Sequence, residues 1–260
     1  MLSNNNQNNQ NAIDGQPSTN WDRSVTKFED LELNPELLRG VFGQGFMKPS
    51  VIQQKAILPL IEGRDTIAQA QSGSGKTATF CIGLLQNIVP EQAKLQGIVL
   101  ANTRELASQI RDEMELLSQY MGIRVLLCTG GMDIRAARDK AREGVHVVVG
   151  TPGRVMDMIK REFIQTDYVR CLVIDEADEM LGTGFLEQVN AILKEVPSDT
   201  QLGIFSATMP PEVVKLIQEI MNDPAIILVK NCDLTLKGKD LYAFFEFFNG
   251  ISNLLFFWIF

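Results

Sequence analysis

The 260-residue sequence contains one histidine, His146, which excludes a multi-histidine metal centre. Its four cysteines, Cys81, Cys128, Cys171 and Cys232, lie far apart and form no CxxC pair. That spacing argues against a zinc site and a disulfide scaffold, and it fits a reducing compartment. No charged segment followed by an apolar one marks the N-terminus, so secretion is not expected. Positive charge is in deficit: 24 Lys and Arg stand against 32 Asp and Glu, for a net charge of -8 and a pI of about 4.8. Attachment to nucleic acid by bulk charge is therefore disfavoured, while a local phosphate-binding face is not. Internal repeats are also absent. What remains is ordinary globular material, 45% hydrophobic and 22% charged, of a length that suits one or two domains.

Three zones follow from composition. Residues 1–22 are rich in Asn and Gln and too poor in apolar surface to offset ordering entropy, so a disordered tail is expected there. Residues 23–231 alternate short apolar runs with amphipathic stretches. The runs are Thr66–Ala70, Gly97–Ala101, Val125–Cys128, His146–Gly150, Cys171–Asp175, Leu202–Ser206 and Ala225–Val229. Helical patterns lie between them over Lys76–Asn87, Arg104–Tyr120, Ile134–Arg142, Phe185–Glu195 and Glu212–Met221. Nearly continuous Val, Ile and Leu suits parallel strands covered on both faces. The expected fold is thus α/β, a doubly wound and mostly parallel sheet in one domain, with ligands beyond the carboxyl ends of its strands. Residues 232–260 depart from the pattern: positions 242–260 hold nine of the nineteen aromatic residues and a single charge, Glu246.

Ala70-Gln71-Ser72-Gly73-Ser74-Gly75-Lys76-Thr77 follows an apolar run and opens a helical one. Small residues let backbone N–H groups converge on phosphate oxygens, and the helix N-terminus adds a favourable dipole. Lys76 can reach the β- and γ-phosphates, and the Thr77 hydroxyl can ligate Mg²⁺. Ala70 stands where the strict pattern has Gly. An ordinary Gly/Ser turn is the plainer alternative. About one hundred residues later, Asp175-Glu176-Ala177-Asp178 ends another apolar run. Asp175 suits a Mg²⁺ ligand, directly or through water, and Glu176 can orient or deprotonate water. The same carboxylates would also suit the N-terminus of a helix.

These residues read DEAD, and the chain resembles the N-terminal RecA-like domain of a DEAD-box ATP-dependent RNA helicase. Further matches occur in order. Gly45-Phe46-Met47-Lys48-Pro49-Ser50-Val51-Ile52-Gln53 resembles the Q motif, with Phe28 upstream. Thr103-Arg104-Glu105-Leu106-Ala107, Gly130-Gly131 and Thr151-Pro152-Gly153-Arg154 resemble the RNA-contacting motifs, and Ser206-Ala207-Thr208 the coupling motif. The runs AILP, IAQAQSG, GKTATF, VGTPGRV and DEADEML are most similar to the translation-initiation-factor subgroup.

The resemblance implies ATP and Mg²⁺ as cofactors and hydrolysis coupled to opening of short RNA duplexes. It implies a nucleotide site of Phe46, Gln53 and Ala70 to Thr77. Gln53 would bind the adenine edge and Phe46 would stack on the base, although core packing is an alternative for Phe46 and a helix-surface amide one for Gln53. Lys76, Asp175, Glu176, Asp178, Ser206 and Thr208 would be catalytic, with metal at Thr77 and Asp175. Ser206 and Thr208 would bond to Asp178, or else cap a helix before Pro210. RNA would be held through its backbone, without sequence preference, by Arg104, Gly130, Gly131, Thr151, Gly153 and Arg154. From Arg104 to Arg170 there are eleven Lys and Arg against ten Asp and Glu, so this stretch is nearly neutral within an acidic chain. Arg135, Arg138, Lys140 and Arg142 read as a solvated helix face. Asn102 stands where the family usually has Pro, and His146 reads as structural.

The family's second RecA-like domain supplies arginines to phosphoryl transfer, and no HRxGR-like run occurs in this sequence. A chain limited to the first domain is expected to bind nucleotide weakly and turn it over slowly. The aromatic stretch then reads as a truncated or mis-spliced end, a helix packed on the domain, or a membrane segment, the last disfavoured by Glu246, Asn249 and Asn253. The resemblance also implies a monomer in the cytoplasm, or alternatively the nucleus, without stable membrane association. Its partners would be RNA and a translation-initiation scaffold protein. A non-catalytic binding module and an unrelated P-loop ATPase are the other readings.

Overall fold

The computed structural model describes residues 19–221 and 223–229. The expectations for the Asn/Gln-rich residues 1–18 and for the linker and aromatic stretch lie outside these residues. Contacts group the chain through Leu228 as one compact unit, and that unit is described below.

Seven strands form one sheet: β1 (Thr66–Gln69), β2 (Gly97–Leu100), β3 (Val125–Cys128), β4 (Val147–Gly150), β5 (Cys171–Ile174), β6 (Gln201–Ser206) and β7 (Ala225–Leu228). Every expected apolar run is a strand, with ends displaced by at most one residue. All pairings are parallel, in the order β3-β4-β2-β5-β6-β1-β7. Successive residues of β2, β4 and β5 are all buried, so both faces of the sheet centre are covered. The doubly wound α/β class read from the sequence is the one observed.

The described helices are α1 (Pro35–Gly43), α2 (Val51–Ile61), α3 (Lys76–Gln86), α4 (Arg104–Leu117), α5 (Ile134–Arg142), α6 (Pro152–Lys160), α7 (Ala177–Gly182), α8 (Leu186–Glu195) and α9 (Pro211–Ile220). Local chemistry accounts for those that the periodicity did not reveal. The Asn34 side chain caps α1 by accepting from the Glu36 N–H at 2.9 Å, and Pro35 occupies the first helical position. Pro152 likewise opens α6, whose Val155, Met156, Met158 and Ile159 enter the core. No described helix is long and apolar enough to cross a membrane.

The fold begins earlier than residue 23. The Asn20 N–H donates to the Ile226 carbonyl at 3.3 Å, and Asn20 Oδ1 accepts from the Ile226 N–H at 2.8 Å. This segment therefore covers the open edge of β7, which would otherwise present unpaired backbone groups. Trp21 packs behind it, with the Arg23 and Arg64 guanidinium groups 5.3 and 5.4 Å from its ring. Composition hides this clasp, because two polar residues carry it: Asn20, and Thr19, whose Oγ1 accepts from the Leu228 N–H at 3.3 Å.

His146 is structural, as read. Its Nδ1 accepts from the Arg124 N–H at 2.9 Å, which places the proton on Nε2, 3.0 Å from the Pro90 carbonyl. Burial lowers its pKa, outweighing that carbonyl bond.

Helices α2 and α3 pack closely where Gly83 meets Leu60. A Cβ built at Gly83 falls 2.5 Å from Leu60 Cβ. Gly83→Ala is therefore expected to destabilise the domain by about 1–3 kcal/mol through overpacking, measured by urea denaturation.

Candidate functional site

A parallel sheet delivers every strand to the same edge, so the loops after neighbouring strands become neighbours in space. The order β5-β6-β1 brings together the acidic residues after β5, Ser206-Ala207-Thr208 at the end of β6 and the glycine-rich loop after β1. The order β3-β4-β2 does the same for Gly130-Gly131, Thr151–Arg154 and Thr103-Arg104. The sheet edge thus divides into two adjoining sites.

In the first site the glycine-rich loop opens α3, with Gly75 at its N-cap at φ 97°. That left-handed backbone suits glycine, and space demands it too: a Cβ there would lie 2.9 Å from Gln53 Nε2 and 3.1 Å from Ser50 Oγ. Those two side chains hold the loop from outside. Ser50 Oγ donates to the Ser74 carbonyl at 2.8 Å, and Gln53 Nε2 donates to the Gly75 carbonyl at 3.4 Å. Gln53 Oε1 accepts from the Ser50 N–H at 2.8 Å, completing a capping box at the start of α2. Gln53 is 3% exposed, so it is not a helix-surface amide, and here both ends of its amide face protein groups. Phe46 is half-buried. Phe28 is fully buried in a short helical turn, Phe28–Leu31.

Lys76 folds back so that its ammonium donates to the Ala70 carbonyl. Burial lowers its pKa, opposed by Asp175, Glu176 and Asp178. The Ser74 hydroxyl is buried without a hydrogen-bond partner among the described residues, while Gly73 faces open space. A buried orphan donor, an ammonium and a helix N-terminus suit a bound phosphate chain.

Asp175 is 3% exposed, and its pKa is raised to about 7. Burial is the main cause, with Glu176 and Asp178 adding repulsion. The Glu176 N–H, which donates to Asp175 Oδ1 at 2.9 Å, and Lys76 oppose them. A cation beside this carboxyl would offset its desolvation. No group of three or more His, Cys, Asp or Glu among the described residues is placed to hold a metal ion. The donor set therefore fits Mg²⁺ shared with phosphate oxygens and water, not an all-protein cage. Glu176 sits at φ 48°, ψ 52° as the N-cap of α7, an uncommon conformation for a non-glycine residue.

Asp178 joins the acidic residues to β6. Its Oδ2 accepts from the Thr208 hydroxyl at 2.6 Å and from the Thr208 N–H at 2.9 Å, and its own N–H donates to Ser206 Oγ at 3.2 Å. Burial pushes the Asp178 carboxyl up, but bonds from Thr208 and Ser206 outweigh this and leave it below its usual value. Thr208 therefore does not cap α9, whose N-cap is Pro210.

In the second site the Arg104 guanidinium lies against the Gly130-Gly131 backbone. A Cβ at Gly130 would meet Arg104 Nη2 at 2.9 Å, and one at Gly131 (φ 85°) would meet Nη1 at 2.8 Å. Arg154 Nη1 donates to the Met132 carbonyl at 3.1 Å, so two arginines converge on one turn. Beside them is a cavity of about 420 Å³ lined by residues that include Asn102, Arg104, Gly130, Thr151 and Phe185. Thr103 is committed to capping α4 through the Leu106 N–H at 3.1 Å. Gly153 has no atom near a built Cβ, which leaves its surface open to a ligand. Phe185, which lines this cavity, is not among the residues that the sequence singled out for the site. The signal available was an aromatic side chain close in sequence to the acidic motif.

Because the folded domain holds the Asp175 proton up to about pH 7 while the unfolded chain releases it near 3.8, stability should fall as pH rises between those values. Asp175→Asn should remove this slope. At pH 8 it removes a penalty of as much as about 4 kcal/mol, at 1.36 kcal/mol per pKa unit. Thermal unfolding in EDTA at pH 5 and pH 8 checks both the sign and the loss.

Residues 50–217 match the DEAD/DEAH box helicase family. Among relatives, eukaryotic initiation factor 4A-3 of Arabidopsis thaliana is 49% identical over 226 residues, covering 86% of this chain and 55% of the relative. The protein named ATP-dependent RNA helicase eIF4A of Mycosarcoma maydis is 49% identical over 240 residues, covering 92% and 58%. The chain spans just over half the length of these curated relatives. The crystal structure of a DEAD box protein from the hyperthermophile Methanococcus jannaschii superposes with a TM-score of 0.77 at 36% identity, covering 80% of this chain and 57% of that one. That likeness identifies the doubly wound sheet as RecA-like. With the family match covering well over half of the sequence, the chain belongs to the DEAD/DEAH box helicase family.

Proposed function

We propose that this chain carries the Mg-ATP-binding and part of the RNA-binding machinery of an ATP-dependent RNA helicase. The observation that carries the reading is the junction of Asp178 with Ser206 and Thr208 beside the glycine-rich loop. It ties the acidic residues to the β6 loop at the sheet edge that also bears the Arg104 site, which is the connection that coupling hydrolysis to RNA requires.

Lys76 supplies positive charge to the β- and γ-phosphates once it leaves the Ala70 carbonyl, and Ser74 Oγ and the loop N–H groups complete the cradle. Thr77 and Asp175 would hold Mg²⁺, which when bound neutralises charge developing on the phosphate oxygens. Glu176 orients the attacking water and accepts its proton. Asp178, Ser206 and Thr208 transmit the state of this site along the sheet edge. Gln53 and Phe46 remain the candidates for reading adenine, with Gln53 needing to exchange the Gly75 carbonyl for the base. Arg104, Arg154, Thr151 and the glycines hold RNA phosphates through charge and close backbone approach, without reading bases. Similarity to initiation factor 4A supports a role in translation initiation or messenger-RNA metabolism, a cytoplasmic setting and a scaffold protein as partner.

Mg-ATP binding, followed with a fluorescent nucleotide analogue, should weaken at least tenfold in Lys76→Ala and vanish in EDTA. That factor is about 1.4 kcal/mol, within the range for a charge-assisted bond. Unchanged affinity in the variant would sink the phosphate-site reading. Single-stranded RNA binding should weaken in Arg104→Ala and persist in Lys76→Ala, separating the two halves of the sheet edge.

A further inference from the structure

Helix α5 leaves the Gly130-Gly131 turn directly, capped by Asp133, whose carboxylate accepts from the Arg135 N–H at 2.9 Å. One side of the helix is apolar: Ala137 is buried in the core, and Ile134 and Ala141 pack against it. The opposite side carries Arg135 and Arg142, both exposed and seven residues apart. Two helical turns put them on one face about 10 Å from each other, close to the rise of three stacked nucleotides at about 3.4 Å each. Arg138 lies between them, and its guanidinium pairs with Asp139 at 2.7 Å and lies 5.9 Å from the Phe163 ring. Asp139, about one turn from each of the two outer arginines, is thus already engaged, Glu143 adjoins Arg142 in sequence, and Arg135 and Arg142 form no ion pair among the described residues. This face starts four residues beyond Gly131, on whose backbone Arg104 lies, and three beyond Met132, to which Arg154 is bonded.

We propose that the outer face of α5 is a second stretch of the nucleic-acid track, in which Arg135 and Arg142 hold two phosphates of a single strand that has passed over the Gly130-Gly131 turn. The inference rests on the RNA reading above and extends it: the domain's footprint on a strand is longer than its cavity. Guanidinium groups on a helix contact phosphate whatever the base, so the extension adds affinity and salt dependence without sequence preference. Charge complementarity and continuity with the Arg104 site favour a phosphate backbone over other ligands.

The test compares oligouridylates of six and twelve nucleotides by fluorescence anisotropy over a range of salt concentrations, using the whole chain. In the double variant Arg135→Ala/Arg142→Ala, affinity for the 12-mer should fall about five- to tenfold. Its log–log salt slope should shrink by about 1.4, at roughly 0.7 per phosphate released from a single strand. Affinity for the 6-mer should change less than twofold. The charge-matched double variant Lys194→Ala/Lys215→Ala should bind both oligomers like the parent. Equal losses for the two lengths, or no loss for either, overturns the α5 track. If Arg104→Ala weakens both oligomers while the α5 variant weakens neither, the RNA site stands and only the extension falls. If the parent chain binds neither oligomer, both readings fall. Tighter binding of a twelve-residue polyglutamate peptide than of the 12-mer at the same salt concentration, lost in the double variant, would assign the face to acidic protein and overturn the RNA assignment.

Discussion

All seven strands run parallel, and this constraint organises everything functional in the molecule. Parallel pairing places each carboxyl end on one edge, where the following helix begins with unsatisfied N–H groups and a favourable dipole. Strand order then decides which loops meet. Because β6 inserts between β5 and β1, its end touches both neighbours: Ser206 and Thr208 bond to Asp178, and the Ser206 carbonyl accepts from the Ala70 N–H at 3.1 Å. Because β4 lies between β3 and β2, the loop that begins at Thr151 emerges between the other two, and Arg104 reaches past it to lie on the Gly130-Gly131 backbone. Two chemistries share one edge, side by side, through topology alone.

Several groups at that edge are held in states that a folded core would ordinarily avoid. Asp175 is a buried carboxyl raised to about 7, Ser74 Oγ is buried without a described partner, and Glu176 adopts a left-handed backbone. Each lowers stability locally, and two of the three would be relieved by a ligand: Asp175 by a cation and Ser74 by phosphate oxygens. The rest of the domain offsets these costs with a sheet covered on both faces, an aromatic pair of Phe80 and Phe205 with ring centroids 5.1 Å apart, and the Asn20 clasp on β7. The α2 capping box adds a second layer of control. Ser50 and Gln53 grip the carbonyls of Ser74 and Gly75, so the position of α2 and the shape of the phosphate loop are linked.

The legibility of these features differed with their physical origin. The strands stood out because burial on both faces leaves a short run of Val, Ile and Leu with few alternatives. The glycine-rich loop and the acidic residues were readable because each works within a few consecutive residues. Helices α1 and α6 were less visible, since capping side chains and proline at the first position start them while their periodic faces are short. The Asn20 clasp and the place of Phe185 in the cavity left no periodic trace at all. Gln53 is the instructive case: resemblance to the Q motif singled it out, while its present hydrogen bonds to Ser50 and Gly75 depend on how α2 packs beside the loop.

By itself the sequence determined the α/β class, the family and the chemical type of each loop, because those properties reside in local spacing and side-chain chemistry. Only the tertiary structure decided that Asp178 bonds Thr208 instead of leaving it to cap α9, that Arg104 and Arg154 converge on one turn, and that Asp175 is buried enough to keep its proton near neutrality. The reason is physical: hydrogen bonding and desolvation depend on distances between groups that are far apart along the chain. Those distances are fixed by strand order and helix packing, to which no short stretch of sequence refers.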